Sequence, residues 1–245
     1  MNEIEFVKEC NKINIDIDED IINKLNKYKE LLKEWNEKFN LTTIIKDDDI
    51  YLKHFFDSIY ICSVEDFNNK KVCDFGTGAG FPGMVIAILY KDAEVTLIES
   101  NSKKIEFLKE VKKQLNLKNV EIINNRAELF GKTNIELFDI VTCRAVSSLN
   151  IILELSVSLL KVNGLFIPMK SNIEEELNKS KKITKDLGYE LLKIKKYVLP
   201  KEESNRSILI YKKISKTSLK YPRNYNIIKK ENDNKFNIDK KRKIN

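Results

Sequence analysis

Between residues 21 and 39 the apolar positions Ile21, Leu25, Tyr28, Leu32, Trp35 and Phe39 alternate spacings of four and three, which predicts one continuous helix with a single apolar face. Asp18, Glu19 and Asp20 stand at its start, where negative charge suits the helix dipole. A second helix is expected after "TTIIKDDD", with Tyr51, Phe55 and Ile59 on one face and His54, Asp57 and Ser58 close together at offsets of three and four. From residue 71 the pattern changes to short strands at "KVCDF", "EVTLIE", "VEIINN", "FDIVTCR" and "GLFIPMK". Helices are expected between them at 82–91, 102–115, 149–161 and 172–187. "YELLKIKKYVL" and "SNRSILIYKK" then follow with no helix between, as an antiparallel pair would.

Strands that alternate with helices imply an α/β fold: a mostly parallel sheet with helices on both faces and an antiparallel last strand. The expected organisation is an N-terminal helical segment (1–65) packed on a catalytic domain (66–212), followed by a basic tail (213–245). Poor periodicity, Pro222 and an Asn-rich stretch make that tail an extended or mobile arm.

Composition narrows the class. The chain has 245 residues, 42% hydrophobic and 33% charged, enough to bury a core and ordinary for a soluble globule. Its apolar runs, such as "GMVIAILY", are too short to cross a bilayer, and "MNEIEFVKEC" lacks the layout of a signal peptide. Cys10, Cys62, Cys73 and Cys143 form no CxxC, and with one histidine in the chain no zinc site is expected. Four reduced thiols in a cytoplasmic protein are the reading, with Cys73 and Cys143 buried in strands. The net charge of +7 lies in the tail, since residues 212–245 hold twelve Lys or Arg against three acids and the remainder is slightly acidic. A basic tail on a near-neutral globule suits a polyanion such as nucleic acid, or is simply solvated.

Four of the seven glycines fall in "KVCDFGTGAGFPG": Gly76, Gly78, Gly80 and Gly83. They sit where a strand ends and a helix begins, the place where open α/β sheets bind ligands, and glycine lets a ligand lie against bare backbone. Gly78, Gly80 and Gly83 spell GxGxxG, the dinucleotide pattern. Asp74, Gly76, Gly78 and Gly80 spell a second pattern that resembles motif I of S-adenosylmethionine-dependent methyltransferases. Glu99, ending the second strand, is placed to accept both hydroxyls of a ribose, at ~1.5–3 kcal/mol each, but both cofactors carry such a ribose. Ala127 and Glu128 follow the third strand, where adenine is contacted. Arg144 and Ser148 close the fourth strand over the crevice, where methyltransferases place substrate-facing residues.

"WNEKFNLTT", "YLKHFFDSI", "CDFGTGAGFPG", "NRAELF", "DIVTCRAV", "GLFIPMK" and "KYPR", in this order, resemble the RsmG (GidB) family of bacterial 16S ribosomal RNA guanine-N7 methyltransferases over roughly residues 20–223. The resemblance implies a Rossmann-like methyltransferase sheet, S-adenosylmethionine as donor, and guanine 527 in conventional rRNA numbering as acceptor. It implies cofactor contacts from Gly76, Phe81, Ala127, Glu128 and Arg144, to which the glycine pattern adds Gly78 and Gly80. It places His54, Asp57, Arg126 and Lys170 along the same cleft. Arg144 and Lys170 are read as positioning substrate; His54, Arg126 and Arg223 are the RNA-binding candidates. No general base is expected, because guanine N7 carries a lone pair and no proton, and alignment itself can supply roughly 7–11 kcal/mol. The expected partner is 16S RNA in the small ribosomal subunit, with the protein acting as a monomer. After "KYPR" the chain departs from the further prolines and glycines common in the family, and Glu99 stands where aspartate is common. The alternatives are a nicotinamide-dependent oxidoreductase and a non-catalytic ribosome-associated protein.

Overall fold

The computed structural model describes residues 1–232, so the last thirteen residues of the expected basic tail, 233–245, lie outside the described residues. The chain opens with α1 (Glu3–Lys12), a helix that the apolar spacing of its neighbours does not predict. Asn2 and Glu5 form a reciprocal capping box at its start, and Phe6 and Cys10, four apart, bury its inner face. The expected long helix is α2 (Glu19–Phe39), with the Asp18 carboxylate accepting from the Ile21 amide and Asn40 ending it in the left-handed conformation.

The second expected helix forms in pieces. They are α3 (Asp47–Asp49), a π-helical stretch (Ile50–Phe56), α4 (Asp57–Ile59) and a 3-10 turn (Tyr60–Ser63). Tyr51, Phe55 and Ile59 are buried as the pattern requires, but so are Leu52, His54, Phe56, Asp57 and Ser58. A segment enclosed on all sides has no single apolar face, and widened turns of this kind often occur at functional sites.

The sheet comprises β1 (Lys71–Phe75), β2 (Glu94–Glu99), β3 (Val120–Asn124), β4 (Phe138–Arg144), β5 (Leu160–Lys170), β6 (Tyr189–Val198) and β7 (Asn205–Lys213). Their order is β3-β2-β1-β4-β5-β7-β6, with β7 antiparallel to both neighbours and the other pairings parallel. The predicted mostly parallel sheet with an antiparallel last strand is therefore correct. The connecting helices are α5 (Gly83–Leu89), α6 (Ser102–Gln114), α7 (Ala127–Thr133), α8 (Leu149–Val157) and α9 (Glu174–Asp186). α1, α2, α5 and α6 contribute to one apolar cluster, and α8 and α9 to a second. Cys73 and Cys143 are buried in strands as expected, and all four cysteines are free thiols.

The chain continues against the body beyond β7. Thr217 donates to the Val157 carbonyl, and Arg223 forms an ion pair at 2.7 Å with Glu154 of α8, which is 1% exposed. A final helix spans 225–232 and buries Ile228 completely. As far as residue 232, therefore, the expected extended or mobile arm is a docked one, because a buried carboxylate and an apolar side chain both need it there. At the opposite end of the sheet from the glycine loop, Glu65, Lys70 and Asp139 line a cavity together with the apolar Ile140, Val162 and Leu165.

Candidate active site

The crevice lies where strand order reverses between β1 and β4, at the carboxyl ends of the strands. The loop after β1 folds back on the sheet through Gly76 and Thr77 amides, both donating to the Ile98 carbonyl. Gly76, Gly78 and Gly80 have φ values of +62°, +63° and +98°, a region that side chains disfavour. A Cβ at Gly76 would also stand 2.8 Å from Val146, in the loop after β4.

Two carboxylates hold this loop. Glu99 accepts from the Gly78 amide at 2.9 Å through Oε2, and from the Ser100 and Asn101 amides through Oε1. Backbone N–H groups thus aim an acceptor-only side chain at the loop; Oε1 already accepts two of them, and Oε2, which accepts one, keeps a lone pair for a ligand hydroxyl. Asp74 Oδ2 accepts from the Thr77 hydroxyl at 2.6 Å and the Gly83 amide at 2.8 Å, whereas its Oδ1 is buried with no partner. Burial pushes the Asp74 carboxyl up to about 7, against the hydrogen bonds from Thr77 and Gly83 that pull it down. A buried carboxylate oxygen without a donor fits a cationic or donor group of a ligand, such as the ammonium on the methionine part of S-adenosylmethionine. Bare backbone at Gly76 and Gly78, with Glu99 beside it, fits the sugar. The residues present suit the cofactor that the sequence implies.

Beyond β3, Glu128 is 5% exposed and accepts from Arg126 Nε at 2.7 Å. Ala127 opens α7 beside it, and the Arg126 guanidinium lies 4.8 Å from the Tyr225 ring of the C-terminal arm.

On the other side of the loop, Arg144 Nη1 donates to Asp57 Oδ2 at 2.8 Å and to the Lys53 carbonyl at 3.0 Å. Asp57 Oδ1 accepts from the Tyr197 hydroxyl at 2.8 Å and faces Arg206 at 3.5 Å, so one buried carboxylate gathers two arginines and a tyrosine. Arg144 Nη2 lies 3.4 Å from His54 Nδ1, and His54 Nε2 lies 3.1 Å from the Thr42 hydroxyl. Arginine can only donate, so Nδ1 is the acceptor and the imidazole proton belongs on Nε2, toward Thr42. Burial, with the Arg144 charge, lowers the His54 pKa to about 3 and keeps the ring neutral. The ring stacks parallel on Phe81 at 4.4 Å.

The structure thus brings Gly76, Gly78, Gly80 and Glu99 together, joins His54 and Arg144 at Phe81, and pairs Arg126 with Glu128. Lys170 sits beside the same crevice, but its Nζ donates to the Ser147 carbonyl and pairs with Glu176 at 2.8 Å, bracing the loop after β4. Arg223 is placed apart from these residues, held by Glu154 and Glu231. Phe81 packs among rings and is 5% exposed. Sequence reasoning missed Tyr28, Thr42, Tyr197 and Arg206 as neighbours of the site. The scarcity of arginine, five in the chain, was the one signal that pointed at Arg206. Among the described residues no group of three or more His, Cys, Asp or Glu is placed to hold a metal.

The family model for GidB, "rRNA small subunit methyltransferase G", matches residues 21–209. The chain is 43% identical over 227 residues to ribosomal RNA small subunit methyltransferase G of Bacillus subtilis, covering 91% of this chain and 95% of that one. It is 45% identical over 221 residues to the protein of the same name from Clostridium perfringens strain SM101, covering 88% and 92%. Among solved structures it resembles a SAM-dependent methyltransferase from Aquifex aeolicus, with a TM-score of 0.55 at 16% identity over 71% of this chain and 97% of that one, a likeness of fold. Neither the oxidoreductase nor the non-catalytic reading finds support in these similarities.

Proposed function

This chain belongs to the GidB family, rRNA small subunit methyltransferase G, and on that premise we propose that it methylates N7 of a guanine in 16S ribosomal RNA of the small subunit. The donor is S-adenosylmethionine, which when bound supplies an electrophilic methyl group on sulfur. The observation that carries this reading at the site is a loop of left-handed glycines set between the unpartnered oxygen of Asp74 and the oriented carboxylate of Glu99. Asp74 would take the donor's ammonium, Glu99 a ribose hydroxyl through Oε2, and Ala127 with Glu128 its adenine.

The acceptor nitrogen needs no deprotonation. A site for it needs alignment and exclusion of water, and a neutral, doubly engaged His54 suits that better than it suits proton transfer. Arg144 holds the π-helical stretch against the crevice through Asp57 and Lys53, and Lys170 holds the 145–148 loop. Both would position substrate through the walls they brace. Arg126, half exposed, is the candidate of the site with guanidinium surface open to an RNA phosphate. We read the three-part organisation as helical segment, methyltransferase domain and basic tail, acting as a monomer in the cytoplasm. No helix among the described residues is long and apolar enough to cross a membrane.

The decisive experiment follows labelled methyl from S-adenosylmethionine into small subunits from cells lacking this protein, then maps it by cleavage at N7-methylguanine. Label at one guanine of 16S RNA is the expected result. Binding of S-adenosylhomocysteine without incorporation would leave the fold and remove the acceptor.

A further inference from the structure

Tyr28 lies on α2, outside the sheet, yet it meets the glycine loop directly. Its side chain is fully buried, and its hydroxyl donates to the Ala79 carbonyl, between Gly78 and Gly80. Its ring stacks on Phe81 at 5.3 Å and 16°, the same ring on which His54 stacks. A Cβ added at Gly80 would run into the Tyr28 hydroxyl and stand 3.0 Å from Leu108 and Met84. Burial holds the Tyr28 hydroxyl well above its ordinary pKa, so it remains a donor.

The sheet holds the other end of this loop, through Ile98, Glu99 and Asp74. Among the described residues, the bond from Tyr28 to Ala79 is the one hydrogen bond that joins residues 1–65 to residues 76–80. A carbonyl buried at that point needs a donor; the N–H of the same peptide, on Gly80, donates within the loop to the Thr77 carbonyl at 2.9 Å, so Tyr28 supplies the restraint that comes from outside the loop. We infer that Tyr28 is a positioning residue for the cofactor loop: its hydroxyl sets the Ala79 peptide, and the N-terminal helices thereby complete the donor site. The inference rests on the reading of this loop as the site for S-adenosylmethionine.

The test compares Tyr28→Phe with Tyr51→Phe in the full chain. Tyr51 belongs to the same helical segment and its hydroxyl bonds Asn26 and Glu3, away from the loop, so both variants lose a hydroxyl and keep a ring. In ligand-free protein, read at the same interval below each melting temperature, amide hydrogen exchange across residues 76–83 should quicken about tenfold in Tyr28→Phe and not in Tyr51→Phe. The dissociation constant of S-adenosylhomocysteine should rise about tenfold in Tyr28→Phe alone. In the methylation assay the KM for the donor should rise with it, while kcat at saturation stays within about twofold. Equal exchange and equal affinity in the two variants would overturn the inference, as would a fall in kcat at unchanged KM. Failure of the unsubstituted protein to bind S-adenosylhomocysteine would remove the cofactor reading, and the exchange comparison would still decide the role of Tyr28.

Discussion

His54 is the only histidine of the chain, so its ring protons give NMR signals that belong to no other residue. Burial lowers its pKa from 6.5 to about 3, and those signals should stay still between about pH 8 and pH 5. A midpoint near the ordinary value would mean that the ring had left Phe81. Between pH 6.5 and 3 the unfolded chain binds the extra proton, so this contribution to stability is lost as pH falls through that window. Asp74 acts with the opposite sign. Its carboxyl is raised from 3.8 to about 7, the native state holds the extra proton between those values, and stability falls as pH rises through them. Urea midpoints of the unsubstituted protein and His54→Gln, compared at about pH 7 and pH 5, separate the two: the variant should lose less on acidification. If Asp74 receives the donor's ammonium, binding expels its proton, so affinity for S-adenosylhomocysteine should weaken as pH drops below about 7. Titration calorimetry in buffers of different ionisation enthalpy reads that proton directly. Gly76→Ala combines a φ of +62° with an approach to Val146 of 2.8 Å. It should cost about 1–3 kcal/mol of stability and abolish measurable binding of S-adenosylhomocysteine.

At the scale of elements, the C-terminal arm is held chiefly by Arg223. It brings Nε and Nη2 to the two oxygens of Glu154, a fork-on-carboxylate pairing with one partner almost wholly buried. Arg223→Ala leaves that carboxylate without its cation, and the expected loss is about 3 kcal/mol. Thermal melting measures the loss, and faster hydrogen exchange across 217–232 would trace it to the arm. The same arm brings Tyr225 beneath Arg126, so its release should also weaken RNA binding. Unchanged RNA affinity in a folded Arg223→Ala protein would detach the arm from that role.

At the scale of the whole molecule, charge and chemistry are separated along the chain. Residues 233–245 carry five of the lysines and arginines against two acids. Ending the chain at Asn232 should leave S-adenosylhomocysteine binding unchanged, weaken RNA binding, and flatten its dependence on salt. The slope should fall by about 0.7–0.9 for each RNA phosphate that the tail neutralises. Filter binding across a salt series tests this, and an unaltered slope would make the tail a solvated appendage.

Much of this was legible in the sequence because it depends on local physics. Period and punctuation gave seven strands close to their observed limits, α2 to within two residues, and the antiparallel pair at the end. Left-handed backbone after a strand needs glycine, so four glycines in eight residues marked the loop by themselves. What escaped were short elements with weak periodicity. The ten residues of α1 announce themselves only by an Asn2–Glu5 cap, and the π-helical stretch is shaped by enclosure from all sides, which no spacing records. Side-chain partners escaped too. That Lys170 would spend its charge on Glu176, that Arg144 would grip the carboxylate of Asp57, and that Tyr28 would reach Ala79 are facts of approach across long stretches of chain. Sequence by itself determined where a donor could lie against backbone. Only the tertiary structure decided which charges stay free to meet RNA, because a cation's availability depends on which anion the fold brings beside it.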